Sequence, residues 1–349
     1  MSTFKPGDKL KKGQYEIKET LGAGGFGVTY LADDFKRKTQ VAIKTINVQT
    51  LQNQYRTKHG STEGFDGYLQ EQQDKFNSEA MVLASFDHPH IVKVYPELFL
   101  SEGISCMVME YVKGKNLESC KYKKGLFSEA EALTIMEEIG SALTYIHQRN
   151  YLHRDIKPQN ILLREDDGKA ILIDFGLARE VNFAELMSLT NATTPVFAPP
   201  EQFERRGKFT SALDIYSLAA TLFVLLAVDE PPFIPLPSHY LNAKIMQDMK
   251  LSLQVPKDLN PQISQRVSDA ILKGMEFDLT KRPQSVKEWL KLLIPGFDES
   301  SSIKLIDLLQ NSKKPHPNPP RRFGEGAEKP SISPPYQGGV RGGLTLLLA

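Results

Sequence analysis

Two short polar segments of the chain carry the residue types that phosphoryl transfer needs. They are His153-Arg154-Asp155-Ile156-Lys157-Pro158-Gln159-Asn160 and Asp174-Phe175-Gly176. A carboxylate at Asp155, a cation at Lys157 and an amide at Asn160 fit a loop that handles a hydroxyl group and a metal-bound phosphate. A second carboxylate, at Asp174, suits a metal ligand on a turn.

Both segments resemble the catalytic and metal-binding loops of eukaryotic-like (Hanks-type) serine/threonine protein kinases. The segment Ala198-Pro199-Pro200-Glu201-Gln202 and the compact single-domain size resemble bacterial members of this family. The resemblance implies that Asp155 and Lys157 are catalytic and that Asn160 and Asp174 hold Mg²⁺, or Mn²⁺ in its place, with ATP as co-substrate. It also implies an α+β, two-lobed protein kinase fold. The small lobe would be an antiparallel sheet with one regulatory helix, and the large lobe would be mainly helical.

A glycine-rich turn lies upstream, at Leu21-Gly22-Ala23-Gly24-Gly25-Phe26-Gly27-Val28. Glycine lets backbone N–H groups approach phosphates, because no Cβ stands in the way. A dinucleotide-binding fold uses the same spacing, but there a helix begins at the glycines. Here β-branched and aromatic residues follow at 28–31 and predict a strand. We therefore expect a hairpin lid over the nucleotide, as in protein kinases. Its nucleotide contacts would come from Leu21, Gly22, Gly24, Gly27 and Val28.

One lysine lies in the apolar run Val41-Ala42-Ile43-Lys44, one strand after the glycines. An edge-strand lysine that reaches solvent would give the same pattern. The kinase resemblance implies instead that Lys44 holds the α- and β-phosphates, with a carboxylate that orients its ammonium group. Glu79 is the predicted partner, because it lies beside the apolar face of a helix. That face is formed by Phe76, Ala80 and Leu83.

The resemblance also assigns a pocket for the adenine base. Residues 105–112 predict a mostly apolar strand that leads into the hinge. Met109 would be the gatekeeper, and the backbone of Glu110 and Val112 would face the adenine edge. Apolar walls around the base are expected from Leu21, Val28, Ala42 and Leu162.

The kinase domain is expected over residues 15–293, with the small lobe ending near 109, the hinge at 110–116 and the large lobe from 117. Beyond it we expect a short helical extension at 294–312. The Pro- and Gly-rich segment 313–349 cannot offset its chain entropy by burial, so it predicts a disordered tail.

Residues 47–74 form an insertion that is longer than kinases usually have between the lysine and the pairing helix. It predicts an exposed loop followed by an N-terminal extension of that helix. Farther on, residues Ser128 to Glu131 match a capping box, which predicts a helix that begins there and ends near His147. By resemblance, Glu201 forms a structural ion pair with Arg282, and Asp214 begins the central helix of the large lobe.

Composition limits the other classes of function. The 349 residues are 40% hydrophobic, enough for two modest cores, and the net charge of +1 gives no argument for binding nucleic acid. Two cysteines, Cys106 and Cys120, fit a reducing compartment. The longest apolar run, 215–228, is too short to span a bilayer, and the polar N-terminus does not read as a signal peptide. We therefore expect a cytoplasmic protein.

Three classes of function fit such motifs. An active Ser/Thr protein kinase would act on proteins with Ser/Thr acceptors and would form a transient homodimer for autophosphorylation. A pseudokinase scaffold usually lacks the equivalents of Lys44, Asp155 or Asp174, and a small-molecule kinase usually lacks the glycine pattern, so the first class is favoured. Thr190, or else Ser188, would carry the phosphate of the activation segment.

Substrate choice can also be predicted from motif positions. Kinases that prefer arginine before the acceptor place carboxylates around the peptide groove. This chain has Gln159, Asn116 and Leu225 at those positions. An arginine there would be partly desolvated without an ionic partner, so we expect weak selection for upstream basic residues.

Overall fold

The computed structural model describes residues 4–24, 27–175, 197–203, 209–227 and 253–297. The chain divides into two units, residues 1–304 and 305–349, and the second lies wholly outside the described residues. The predicted tail, residues 298–312 of the predicted extension, and the activation-segment residues Ser188 and Thr190 also lie outside them.

The small lobe is built on a six-stranded antiparallel sheet with the order β1-β2-β3-β4-β6-β5. Its strands are β1 (Lys9–Leu10), β2 (Tyr15–Ala23), β3 (Gly27–Asp34), β4 (Thr39–Ile46), β5 (Val94–Ser101) and β6 (Ile104–Glu110). Successive side chains of a strand point to opposite faces, and both faces of this sheet are apolar. One face belongs to the main core that runs into the large lobe, and the other carries a separate cluster.

The N-terminal segment closes the outer face of the sheet. Phe4 is 1% exposed, packs on the ring of Tyr30 at a centroid distance of 5.6 Å, and donates its N–H to the Tyr30 hydroxyl. Strand β1 pairs with the start of β2, and Leu10 joins the same cluster. Residues before 15, the predicted start of the kinase domain, therefore pack on the sheet of the small lobe. Two isolated apolar residues in a lysine-rich stretch give no periodic signal, although both are buried.

The insertion is mostly helical. Helix α1 spans Val48–His59, and helix α2 spans Phe65–Leu83. The predicted extension of the pairing helix is confirmed, since α2 begins well before its central part. The prediction of an exposed loop is wrong for most of this segment, because the segment forms α1. Leu51, only 2% exposed, anchors that helix in the main core. Gly60, with φ 72°, ends α1 in the left-handed region that favours glycine.

The large lobe is mainly helical, as predicted. Its helices are α3 (Leu117–Lys124), α4 (Glu129–His147), α5 (Ser211–Leu226), α6 (Pro256–Leu259), α7 (Gln265–Gly274) and α8 (Val286–Leu293). A three-stranded antiparallel sheet joins the lobe to the hinge, with β7 (Gly114–Asn116), β8 (Ile161–Arg164) and β9 (Ala170–Leu172). Short 3-10 turns lie at Pro158–Asn160 and Pro200–Phe203.

Two helices fix the frame of this lobe. The capping box of α4 is confirmed, with the Ser128 side chain bonded to the backbone of Glu131 and the Glu131 carboxylate bonded to that of Ser128. Every α5 residue from Ala212 to Leu226 is buried, as expected for a central helix. Among the described residues, we find no helix with the length and apolar character that crossing a membrane requires.

Candidate active site

The side chains of Lys157 and Asn160 both contact the carboxylate of Asp155. The Lys157 ammonium lies 2.9 Å from Oδ2 of Asp155, and Nδ2 of Asn160 donates to the same oxygen at 2.9 Å. Asn160 Nδ2 also contacts the backbone carbonyl of Asp155 at 2.8 Å. The 3-10 turn after Lys157 reverses the chain and brings Asn160 back to Asp155. This arrangement keeps the carboxylate oriented inside the cleft.

Asp214, at the start of α5, holds the backbone of this loop. Its carboxylate is fully buried and accepts hydrogen bonds from the backbone N–H groups of His153 (2.9 Å) and Arg154 (2.8 Å). Nε2 of His147 lies 2.7 Å from the same group. Burial alone would raise the pKa of Asp214, but the contacts with His147, His153 and the backbone of Arg154 together outweigh it, so the pKa is lowered. Arg154 adopts φ 65°, a left-handed conformation that the three contacts to Asp214 stabilise.

His153 links the loop to the segment that carries Asp174. The N–H of Asp155 contacts Nδ1 of His153 at 3.3 Å, and Nε2 lies 3.3 Å from the carbonyl of Ile173. A neutral ring with its proton on Nε2 satisfies both contacts. Burial lowers the pKa of His153 despite nearby carboxylates, in agreement with that neutral form. The ring also packs on Phe175 at 4.6 Å between centroids.

Lys44 and Asp174 meet across the cleft. The ammonium of Lys44 forms an ion pair with Oδ1 of Asp174. Burial lowers the pKa of Lys44, but the charges of Asp174, Glu79 and Asp155 outweigh it, so the pKa is raised and the lysine stays charged. Desolvation in the cleft raises the pKa of Asp174, but the positive charges of Lys44 and Lys157, with His153, outweigh it, so the pKa is lowered. Glu79 is 8% exposed on the inner face of α2, as expected. Its direct pairing with Lys44 stays a prediction, since the ion pair seen here is with Asp174.

Asn160 and Asp174 supply the oxygens that a hard cation prefers. Nδ2 of Asn160 is bonded to Asp155, and the Asp174 side chain is 48% exposed. In the described part of the chain, no group of three or more His, Cys, Asp or Glu is arranged to hold a metal ion. One amide oxygen and one carboxylate would suit Mg²⁺, which is usually held by one or two protein groups together with water and substrate phosphates.

The glycine-rich turn is a β-hairpin, and the dinucleotide-fold alternative is excluded because a strand follows it. Strand β3 pairs antiparallel with β2 and with β4, and Gly24 N–H donates to the carbonyl of Gly27 at 2.8 Å. A Cβ on Gly27 would lie 2.9 Å from the Thr45 carbonyl and 3.3 Å from Cε of Lys44. This glycine therefore makes room for β4 and for the stem of Lys44.

Val28 does not line the cleft, and its predicted contact with the base is wrong. It packs in the outer cluster with Phe4 and Tyr30. Directly opposed residues of an antiparallel pair share a face, and Thr29 lies opposite Lys44. Thr29 therefore faces the cleft. A shift of one residue along a strand moves the side chain to the other face, which explains the error.

The contacts of the other residues with the base stay predictions, and the structure shows where each of these residues lies. Ala42 lies opposite Met109 on the inner face, both are buried, and both belong to the main core. Val112 is 7% exposed just beyond the end of β6 at Glu110, and Leu162 packs against the main core from β8. Leu21 is 41% exposed next to the irregular pairing of β2. Gly22 pairs opposite Thr29 in the hairpin.

A buried ion pair in the large lobe lies next to a residue that contacts the catalytic loop. Nη1 of Arg282 lies 2.7 Å from Oε1 of Glu201, and Arg282 is 2% exposed. Its guanidinium also donates to the backbone carbonyls of Ala212 and Glu276. Nearby, Gln202 donates to the carbonyl of Arg154 at 3.1 Å. The predicted Glu201–Arg282 pair is thus confirmed, and its neighbourhood contacts the catalytic loop.

Comparison with known proteins shows the family to which the chain belongs. The family model of the protein kinase domain matches residues 15–293, the predicted span. The chain belongs to the protein kinase domain family. Serine/threonine-protein kinase PrkC of Bacillus subtilis is 32% identical over 293 residues, covering 83% of this chain and 41% of that protein. Serine/threonine-protein kinase C of Synechocystis is 36% identical over 237 residues, with 65% and 41% covered. The resemblance to bacterial Ser/Thr kinases is confirmed.

Solved structures show the same fold. The apo form of PpkA-294 gives a TM-score of 0.66 at 27% identity and covers 84% of this chain and 99% of that one. The PknI kinase domain of Mycobacterium tuberculosis gives 0.57 at 21% identity, with 83% and 98% covered. The two-lobed prediction is therefore confirmed. The chain spans about two fifths of the length of PrkC.

Proposed function

We propose that this chain is a serine/threonine protein kinase that transfers the γ-phosphate of ATP to protein hydroxyl groups. The observation that carries the proposal is the convergence of two charged sets on one cleft. Asp155, Lys157 and Asn160 contact one another on one side, and Lys44 pairs with Asp174 on the other. A pseudokinase scaffold would not need both sets.

Each residue has a role that follows from its chemistry. Asp155 orients the substrate hydroxyl and accepts its proton, and Lys157 stabilises negative charge on the phosphate as it transfers. Lys44 binds the α- and β-phosphates, which requires its ammonium to leave Asp174 in part as the nucleotide enters. The raised pKa of Lys44 keeps that ammonium charged. Lys157, two residues after Asp155, is the feature that favours Ser/Thr acceptors over tyrosine.

Asn160 and Asp174 would hold Mg²⁺ as amide and carboxylate ligands. When bound, the cation would neutralise charge on the β- and γ-phosphates. Mn²⁺ has similar ligand preferences and is the alternative.

Autophosphorylation of the activation segment belongs to the same proposal. Arg154 has a buried Nε without a hydrogen-bond partner among the described residues. A phosphate on Thr190, or else on Ser188, would supply a charge-assisted partner for it. Both residues lie outside the described part of the chain. A transient homodimer would carry out the transfer, and the reducing cytoplasm is the proposed compartment.

A direct test separates the kinase from a scaffold. The purified chain would be incubated with γ-labelled ATP and Mg²⁺, with and without a generic protein substrate rich in Ser and Thr. Label in protein that is lost with Asp155→Asn supports the proposal. Binding of ATP without any transfer would instead indicate a scaffold.

A further inference from the structure

The side chain of Asn47 joins the start of α1 to the glycine hairpin. Its Oδ1 accepts a hydrogen bond from the backbone N–H of Thr50 at 3.1 Å, as an N-cap of α1. Its Nδ2 donates to the carbonyl oxygen of Gly24 at 3.2 Å. Gly24 is the second glycine of the predicted phosphate-binding turn. The amide of Asn47 therefore hydrogen-bonds both to helix α1 and to the glycine hairpin.

The two contacts require a carboxamide of this length. One atom must accept from an N–H group and the other must donate to a carbonyl, so an amide rotated by 180° would oppose donor to donor and acceptor to acceptor. A serine or an aspartate at position 47 would still cap the helix. Neither reproduces the contact to Gly24, because serine is too short and an ionised aspartate has no proton to donate.

The backbone places Asn47 where this contact can act on the hairpin. Ile46, the preceding residue, lies opposite Gly27 in the ladder, and Gly24 N–H closes the turn on the Gly27 carbonyl. On the other side of the turn, β2 pairs with β3 through two irregular steps, the second of them between Thr20 and Gly22. Near the turn, β3 is paired on both edges, with β2 and with β4, whereas among the residues described this end of β2 is paired with β3 alone. Asn47 therefore adds a contact on the Gly24 side, which has fewer partners in the sheet.

Helix α1 is itself anchored, so the contact has a fixed base. Leu51 is buried in the main core, and the ring of Tyr55 packs on Phe65 and Tyr68 of α2 at centroid distances of 5.7 and 5.2 Å. The Tyr55 hydroxyl donates to the carbonyl of Glu63 at 2.7 Å. The insertion thus links the helix that carries Glu79 to the lid.

We propose that Asn47 is a positioning residue of the nucleotide site: through Gly24 it holds the glycine hairpin in the position that contacts the phosphates of ATP. The role rests on the proposed function, since it needs a nucleotide in the cleft. In this proposal the insertion, through α1 and its cap Asn47, contributes to nucleotide binding by the small lobe. The proposal predicts an effect on phosphate binding and not on base binding, because the base is assigned to the hinge and the turn at Gly24 to the phosphates.

The test compares nucleotide binding by Asn47→Ser and by the wild-type chain. Serine keeps the cap of α1, so the melting temperature should stay unchanged. The Kd for ATP and ADP, measured by calorimetry with Mg²⁺, should rise about threefold to tenfold, the range for loss of one hydrogen bond. The Kd for adenosine should not change. Gln49→Ser, which removes an exposed amide of the same helix bonded to Asn53, is the matched control and should leave every Kd unchanged.

The possible results are separable. The positioning role would be overturned if Asn47→Ser left the Kd for ATP unchanged. It would also be overturned if the Kd for adenosine rose by the same factor as the Kd for ATP. Asn47→Ala, which loses the cap as well, should also lower the melting temperature, and a purely capping residue would affect ATP only in this variant. If the wild-type chain binds no ATP at all, the proposed function fails and this inference fails with it.

Discussion

The guanidinium of Arg282 and the carboxylate of Glu201 form a buried ion pair 81 residues apart in sequence, with Nη1 and Oε1 separated by 2.7 Å. The pair joins the 3-10 turn at Pro200–Phe203 to the chain that precedes α8. Further bonds to backbone carbonyls satisfy the guanidinium. A buried pair contributes little net stability, but removal of one member leaves a buried charge without compensation.

We therefore expect Arg282→Met to reduce the free energy of unfolding by about 3–5 kcal/mol. The double variant Arg282→Met/Glu201→Gln should recover part of this loss, because the isolated carboxylate is gone. Urea unfolding followed by circular dichroism would measure both. Lys281→Met, at an exposed neighbouring position, is the control. A loss below about 1 kcal/mol for Arg282→Met would contradict the role given to this pair.

Asp155→Asn tests the chemistry of the catalytic loop. The amide cannot accept the proton of the substrate hydroxyl, so kcat should fall by about 10²–10⁴-fold. The Kd for ATP should stay close to that of the wild type, since Asp155 is assigned to the protein substrate. Steady-state kinetics and calorimetry would measure the two quantities. Asp167→Asn, in the turn between β8 and β9, is a carboxylate control away from the cleft. Near-full turnover by Asp155→Asn would sink the assignment.

Glu131 makes the stability of α4 depend on pH. Its hydrogen bonds to Lys124 and Ser128 lower the pKa of the Glu131 carboxyl to about 2. A depressed pKa in the folded state stabilises the protein above the pKa of the unfolded chain, and this contribution is lost as pH falls through the folded value. The window is therefore from about pH 4.5 down to about pH 2. Because the side chain is 52% exposed, solvent screening limits the effect to about 0.5–1 kcal/mol.

Glu131→Gln keeps the accepting oxygen and removes the charge. Its free energy of unfolding should lie below that of the wild type at pH 7, and the difference should shrink below pH 4.5 for as long as both proteins fold. Urea titrations at several pH values would show this. A difference that stays constant from pH 7 to pH 3 would rule out the ionised carboxylate as its cause.

Some parts of this site are visible in the sequence and others depend on packing. Asp155 and Asn160 lie five residues apart, so the local turn that joins them follows from sequence alone. The face of the sheet on which Val28 lies does not follow from sequence alone, because it depends on the register between β3 and β4. A shift of one residue would put Val28 on the face that Thr29 occupies. Signals did exist for the insertion: Asn47 and Gly60 are typical helix caps. What the sequence lacked was a periodic apolar stripe, since Leu51 is the one residue of α1 that is fully buried.

The predicted peptide-binding positions offer no carboxylate in the structure. Nε2 of Gln159 donates to Glu118 at 2.6 Å, and Asn116 caps α3 through Ser119 N–H at 2.8 Å. Leu225 is fully buried in α5 and cannot contact a peptide. Glu118, an acid that could have served instead, is bonded to Gln159.

Substrate peptides with arginine before the acceptor should therefore gain little. An arginine near Gln159 would meet an amide and a Glu118 carboxylate that already accepts a hydrogen bond from that amide, whereas strong recognition needs both oxygens of a carboxylate for a bidentate pair. A positional peptide library should show weak selection for arginine two or three residues before the acceptor. Gln159→Glu supplies the missing charge and breaks the bond to Glu118, because two carboxylates repel each other, so this variant should gain selection for arginine. Gln148→Glu, at the end of α4, is the control that adds the same charge elsewhere. Strong arginine selection by the wild-type chain would show that other acids form the pocket.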